Sequence, residues 1–300
     1  MTIPMVRQHP ASPAMPGHVT APTGRAPRTV TGLGSARGAL GSPTHAHYWF
    51  TLTAVGLVGG VLSGVFAVGG GILMVPLLMW RAGMDQRRAT ATSLVAIVPT
   101  ALVSSFVYLV NGHVDLTAAA LVTVGAIVGT VMGARLLRRI PVPQLRWMFV
   151  AFVLLVAARL LLVAPHRGGQ VHLTVLIVLG YVGIGVVMGL ASGLFGIGGG
   201  IIAVPLMISL LAVSDLVAKG TSLLVSVPTT AAGTLSNRRA GLVDVRAGLV
   251  VGVAAAVASV PAVGLSLLLS PRLSGQLFAG LLTLVALQIS VKAYRERATR

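Results

Sequence analysis

The sequence predicts an all-α polytopic membrane protein, built as two inverted repeats of about four to five membrane segments each, with glycine-broken helices. Three observations predict it. Only 9% of the 300 residues are charged and 55% are hydrophobic, whereas a soluble domain carries about 25% charged residues. The few charges are separated by long uncharged runs. One glycine-rich motif occurs twice at a fixed spacing.

The uncharged runs come first. No Asp, Glu, Lys or Arg falls among the 43 residues between Arg37 and Arg81. Residues 89–112, 116–134, 173–214, 220–237, 247–271 and 273–291 are equally free of charge. Apolar runs of roughly 18 residues or more are long enough to span a bilayer as helices. The net charge of +17 does not point to nucleic acid, because a polytopic protein collects Lys and Arg on its cytoplasmic loops. The chain has no cysteine, which removes a disulfide framework and a thiolate metal site. Residues 1–44 are rich in Pro, Gly, Ala, Ser and Thr and are expected to form a disordered cytoplasmic tail. They lack the apolar run and small-residue cleavage site of a signal peptide. A start codon assigned too far upstream would explain them as well.

The repeat keeps a constant offset: position n corresponds to position n+129 throughout. "GVFAVGGGILMVP" (64–76) matches "GLFGIGGGIIAVP" (193–205) at 8 of 13 positions. "TSLVAIVPT" (92–100) matches "TSLLVSVPT" (221–229) at 6 of 9, and "GHVD" (112–115) matches "GLVD" (241–244) at 3 of 4. A register kept from the first motif to the last signals duplication. The expected organisation is the tail 1–44, a first transmembrane repeat over 45–165, and a second over 166–300 ending in a short basic tail.

Charge decides how the halves are oriented. If each long uncharged stretch enters the membrane and returns at its glycines, one face receives the N-terminal tail, the loops near 81–88, 135–146 and 237–246, and the C-terminal tail. That face carries 18 of the 22 Lys and Arg residues; the opposite loops carry 3. The bias marks the rich face as cytoplasmic, with both termini on it. Treating each stretch as a single crossing would export the basic 81–88 loop, so it is disfavoured. Each half then makes five passes, or three plus a re-entrant hairpin. Either odd number inverts the second half, as in many secondary transporters.

The glycines explain themselves next. In hydrocarbon every backbone N–H and C=O needs a partner, so a helix break survives only against protein or a cavity. Gly69, Gly70 and Gly71, like Gly198, Gly199 and Gly200, break a helix and let other atoms approach the backbone closely; the alternative is that they serve only close helix packing. A new helix is expected near Ile72, with Pro76 and Pro205 in the first turns of the paired helices. The unpaired N–H groups and positive dipole end of such a helix suit an anion. A bulky side chain at Gly199 should fill that anion's place. Ala67 stands where the second copy has Gly196, which predicts a stiffer first loop. Thr92, Ser93, Thr221 and Ser222 are expected to open the following helices, as caps or as donors to an anion. Gly125, Gly129 and Gly133 read as a packing seam, Asp115 and Asp244 as helix caps, and Lys219, two residues before Thr221, either as drawing anions toward the site or, the favoured reading, as a solvated loop lysine.

Several chemistries are disfavoured. All five acids fall in expected loops or the tail, so no carboxylate relay crosses the membrane. The chain lacks a P-loop. Ser192 beside Gly193 suggests an intramembrane serine nucleophile, but no histidine follows His172, and Ser63 repeats the position. The sequence therefore argues against an enzyme, and no metal or organic cofactor is implied.

Two copies of G-G-G-x-x-x-x-P, "GGGILMVP" and "GGGIIAVP", each followed by a T-S…P helix, resemble the sulfite exporter TauE/SafE-type membrane permeases over roughly residues 50–290. The resemblance implies secondary transport of a small sulfur-containing anion, such as sulfite or an organosulfonate, across the bacterial inner membrane. It carries over Gly69–Gly71, Gly198–Gly200, Thr92, Ser93, Thr221 and Ser222 as substrate-binding candidates. The implied partners are a small anionic substrate and the lipid bilayer, without nucleic acid; a homo-oligomer stays open. An anion channel, or a non-transporting subunit of a membrane complex, is the alternative.

Overall fold

The structure, a computed structural model, describes residues 45–162 and 175–298, with side chains over 48–158 and 175–291. The tail 1–44 and the junction near 165 expected between the repeats lie outside the described residues. Five helices form the first half: α1 (His45–Phe66), α2 (Gly71–Arg81), α3 (Gln86–Val110), α4 (Leu116–Arg139) and α5 (Val142–Leu162). Five form the second: α6 (Val175–Phe195), α7 (Gly200–Leu211), α8 (Asp215–Arg238), α9 (Val245–Leu268) and α10 (Pro271–Ala298). Carried forward by the repeat offset, the start of each first-half helix lands on its mate's start or on the residue beside it.

Six of the described helices are long and apolar enough to cross a membrane: α1, α3, α4, α6, α9 and α10. The bundle is a multi-pass membrane protein. Helices α2 and α7, of 11 and 12 residues, rise only about 1.5 Å per residue. They stop well short of the roughly 30 Å hydrocarbon core. Bulky apolar side chains such as Phe50, Phe106, Leu155, Leu176 and Val257 are exposed on the outside, a surface suited to lipid.

Small residues decide which helices meet. Gly125, Gly129 and Gly133 of α4 lie against the carbonyls of Val182, Val186 and Leu190 of α6, leaving no room for a Cβ. Gly185, Gly189 and Gly193 of α6 press back on Val122, Ala126 and Thr130. Both residue series ascend together, so α4 and α6 run parallel. Gly56, Gly60 and Gly64 of α1 pack on Val251, Ala255 and Ser259 of α9 in the same sense. Backbones this close replace the hydrophobic drive that lipid does not supply. The expected packing seam is thus present.

The centre is a contact between mates. Helices α3 and α8 run antiparallel: Leu94 meets Gly233 and Tyr108 meets Gly220. Contacts between halves are reciprocal. The Asp244 amide donates to Thr92 Oγ1 at 3.1 Å, and the Asp115 amide donates to Thr221 Oγ1 at 2.9 Å. Asp115 and Asp244 cap α4 and α9, accepting from Ala118 N at 2.9 Å and Ala247 N at 3.0 Å.

The two ends of the bundle differ in charge. Loops 82–85, 140–141 and 239–244 share one end, tied by Arg88–Asp244 at 3.0 Å and by Arg87 donating to the Ile140 carbonyl at 2.7 Å. Ten arginines with described side chains cluster there, from Arg81 to Arg246. At the end with loops 111–115, 212–214 and 269–270, Lys219 and Arg272 are the only Lys or Arg residues among those whose side chains are described.

Candidate functional site at the paired helix breaks

Each break begins where α1 or α6 runs out of helix. Ala67 N still donates to Ser63 O, and Gly196 N to Ser192 O, both at 2.8 Å. The chain then turns through the left-handed region. Gly70 (φ 72°) and Gly199 (φ 82°) sit at the N-caps of α2 and α7, a conformation that costs glycine little. The new helices start at Gly71 and Gly200. Pro76 and Pro205 therefore fall in the second turn rather than the first, where each removes one helical hydrogen bond. Ala67 takes φ 55° where its mate Gly196 takes 69°. The alanine holds the same turn as the glycine, under strain of about 1–2 kcal/mol.

The breaks abut. A Cβ on Gly71 would strike the Gly196 carbonyl, and one on Gly200 would strike the Ala67 carbonyl. Gly69 and Gly198 face each other, with Ile97 of α3 beside both: its Cγ2 is 3.1 Å and 3.2 Å from their respective Cβ positions. Residues 67–71 and 196–200 are all buried. Gly199 differs from the expectation, because its Cβ would drive into Met188 of α6. A valine there would disrupt packing instead of filling an anion's place.

The amides are the notable feature. Among the described residues, no hydrogen bond leaves the N–H groups of 68–72 or of 197–201. The next amides fold back: Leu73 N and Met74 N donate to Gly70 O at 3.3 and 3.1 Å, and Ile202 N and Ala203 N to Gly199 O at 3.0 and 3.1 Å. Gly70–Ile72 and Gly199–Ile201 are the ordinary unpaired amides of a helix start, but with the two amides before each they make five consecutive buried donors without acceptors among the described residues, present twice and in contact, where most buried amides are paired.

Neighbouring hydroxyls divide into two groups. Ser93 Oγ lies 2.8 Å from the carbonyls of Gly196 and Thr90. Its mate Ser222 donates to Lys219 O at 2.9 Å and lies beside Gly200. Thr92 and Thr221 instead bond the amides of Asp244 and Asp115. All four stand in the second turn of α3 or α8, so none opens its helix as expected. Ser226, which sequence reasoning missed, donates to Gly198 O at 2.6 Å. Ser63 and Ser192 are buried mates whose hydroxyls have no partner among the described residues. A groove of about 730 Å³ lies elsewhere, along α2, α5 and α10, lined by Trp80, Arg146 and Gln288 among others.

Lys219 also departs from expectation. It lies inside α8, is 3% exposed, and pairs with Asp215 at 2.8 Å. Asp215, expected in a loop, is the first residue of that helix.

The fold and the breaks define a class: a multi-pass membrane protein with two reciprocal five-helix halves meeting at interrupted helices. The family model described as Sulfite exporter TauE/SafE matches residues 14–160 and 181–300, and the chain belongs to that family. The match begins inside the tail, earlier than the resemblance over roughly 50–290 suggested. The chain is 28% identical over 216 residues to the "Probable membrane transporter protein YunE" of Bacillus subtilis (strain 168), covering 64% of this chain and 79% of the relative. It is 33% identical over 199 residues to a "Probable membrane transporter protein" of Xylella fastidiosa (strain 9a5c), covering 65% and 75%. The chain is thus a membrane permease by family.

Proposed function

We propose that the protein is a secondary transporter that moves a small oxyanion, sulfite or an organosulfonate or another sulfur-containing anion, across the bacterial inner membrane by alternating access. One observation carries this reading: two abutting sets of five buried amides without acceptors among the described residues. An anion with three oxygens can accept from both sets, where a neutral apolar guest would leave them unpaired. Gly69–Gly71 and Gly198–Gly200 are the binding backbone, with Ser93 and Ser222 at its rim. In the state described, Ile97 fills the space beside Gly69 and Gly198, so substrate enters when the breaks part. The choice of sulfur rests on the family's description.

The repeats 45–165 and 166–300 are inverted and rock against each other in this reading. Antiparallel packing of the mates α3 and α8 supports the inversion. The arginine-rich end faces the cytoplasm, as do both termini.

The test is counterflow of radiolabelled sulfite and taurine in proteoliposomes. Saturable counterflow is expected, and Gly69→Ala with Gly198→Ala should remove it while the protein stays folded. Flux without counterflow or saturation would indicate a channel, and absence of flux a non-transporting subunit. Undiminished counterflow in the double variant would remove the breaks as the site.

A further inference from the structure

The ion pair of Lys219 and Asp215 is unusual for its place. The two side chains are 4% and 13% exposed, in a membrane protein where buried charges are costly and generally functional. The ammonium has two further partners, Ser274 Oγ at 2.9 Å and Ser266 Oγ at 3.4 Å. Ser266 also receives the Tyr108 hydroxyl at 2.9 Å and donates to Val65 O at 2.9 Å. The Ser274 hydroxyl proton has no acceptor among the described residues.

The duplicated fold contains its own control. At the matching positions of the first half, Asp215, Lys219, Ser266 and Ser274 are replaced by Gln86, Thr90, Leu137 and Leu145. The same helix junction in the first half lacks the ion pair and instead has Arg87 donating to the Ile140 carbonyl at 2.7 Å. The fold therefore does not need the pair, and its reason lies elsewhere.

The site also has a direct line to the breaks. The Lys219 carbonyl accepts from Ser222, beside Gly200. Ser226, two turns further along α8 and so about 10 Å away, holds the Gly198 carbonyl. Val65 lies just before the first break.

We propose that Lys219 is the charged half of an anion subsite at the arginine-poor end of the bundle, and that the Asp215 carboxylate is its internal occupant, displaced by the transported oxyanion. This rests on the anion-transport reading above. The substrate would take the ammonium and the free Ser274 proton, then pass along α8 to the amides of the breaks. Because the first half lacks the charges, the subsite exists at one end only.

The experiment is calorimetric titration of sulfite and isethionate into purified protein, paired with melting. Asp215→Asn removes the competing negative charge and should tighten binding about tenfold. Lys219→Gln alone, and Lys219→Gln with Asp215→Asn, should weaken it at least tenfold. The double variant, with no unpaired charge, should melt near the parent temperature. Lys219→Arg keeps the charge and should bind within about threefold of the parent, which tests the idea even if Asp215→Asn folds poorly. Parent affinity in the folded double variant would overturn the proposal and leave a purely structural pair. Weaker binding by Asp215→Asn would overturn it too. If the parent protein binds neither probe and transports neither, the anion-transport reading itself fails, and this proposal with it.

Discussion

The contact between the two breaks can be tested with one methyl group at a time. Gly71 and Gly200 are mates, and each faces a carbonyl of the other break: Gly196 O for Gly71, Ala67 O for Gly200. A Cβ at Gly71 would also sit 2.7 Å from Ile197 Cα, and one at Gly200 would sit 3.2 Å from the Ala67 carbonyl carbon. Both obstacles are main chain, which cannot rotate away, so the breaks must separate. Overpacking of this kind costs about 1–3 kcal/mol. Neither glycine has a positive φ, so no conformational penalty adds to it. Gly264 of α9 is the control, with nothing within 4 Å of its Cβ position, and alanine there should gain up to about 1 kcal/mol of helix propensity. At about 2–4 °C per kcal/mol, Gly71→Ala and Gly200→Ala should each melt several degrees below the parent in the same detergent. Gly264→Ala should hold or rise. Because the two contacts are reciprocal, the first two variants should agree closely. Parent-like melting in both would refute the close approach of the breaks, and a loss in only one would refute the reciprocity.

Other consequences are open to measurement. Removing the hydroxyl that holds a break carbonyl, as in Ser226→Ala, should cost about 1 kcal/mol, read as a lowered melting temperature; no change would mean Gly198 O is satisfied without it. Asp115→Ala and Asp244→Ala each lose a helix cap worth about 1 kcal/mol. The Arg88 bond to Asp244 is exposed enough (54% and 24%) to add little, so the two variants should melt within a degree or two of each other. Since the chain has no cysteine, single introduced thiols report sidedness. Ala240→Cys should react with an impermeant maleimide only from the cytoplasmic side and Asn111→Cys only from outside; labelling of both from one side would overturn the assigned orientation.

Much of the fold is legible in the sequence because bilayer physics writes it plainly. Uncharged runs of helix-spanning length have few other uses, and the constant repeat offset places every mate helix almost to the residue. Asp115 and Asp244 can be read as caps from their identical settings. The site is legible in its glycines and obscure around them. The sequence pairs Thr92 with Ser93 and Thr221 with Ser222 as dipeptides, yet neighbours on a helix point about 100° apart. The serines meet the breaks, and the threonines meet the caps of α4 and α9. A single sequence does not give that rotation until the partner helix is placed.

Lys219 shows a deeper reason for the gap. Identity between repeats marks what both copies need, which is the scaffold and the break. A carrier with two identical ends would hold its two facing states at equal free energy, so any preference for one side must come from positions where the mates differ. Those positions are visible: Asp215 against Gln86, Lys219 against Thr90, Ser226 against Ile97, Tyr108 against Asn237. The first two form the one-sided charged cluster. The third places a hydroxyl on one break and a branched apolar plug over both, and the fourth joins that cluster to α1. Tyr108 has hydrogen-bond partners in Ser266 Oγ and Gly64 O, whereas the buried Asn237 amide has none among the described residues. Asymmetry of function in a duplicated chain is carried by its mismatches, and here they gather along the two central helices that hold the breaks.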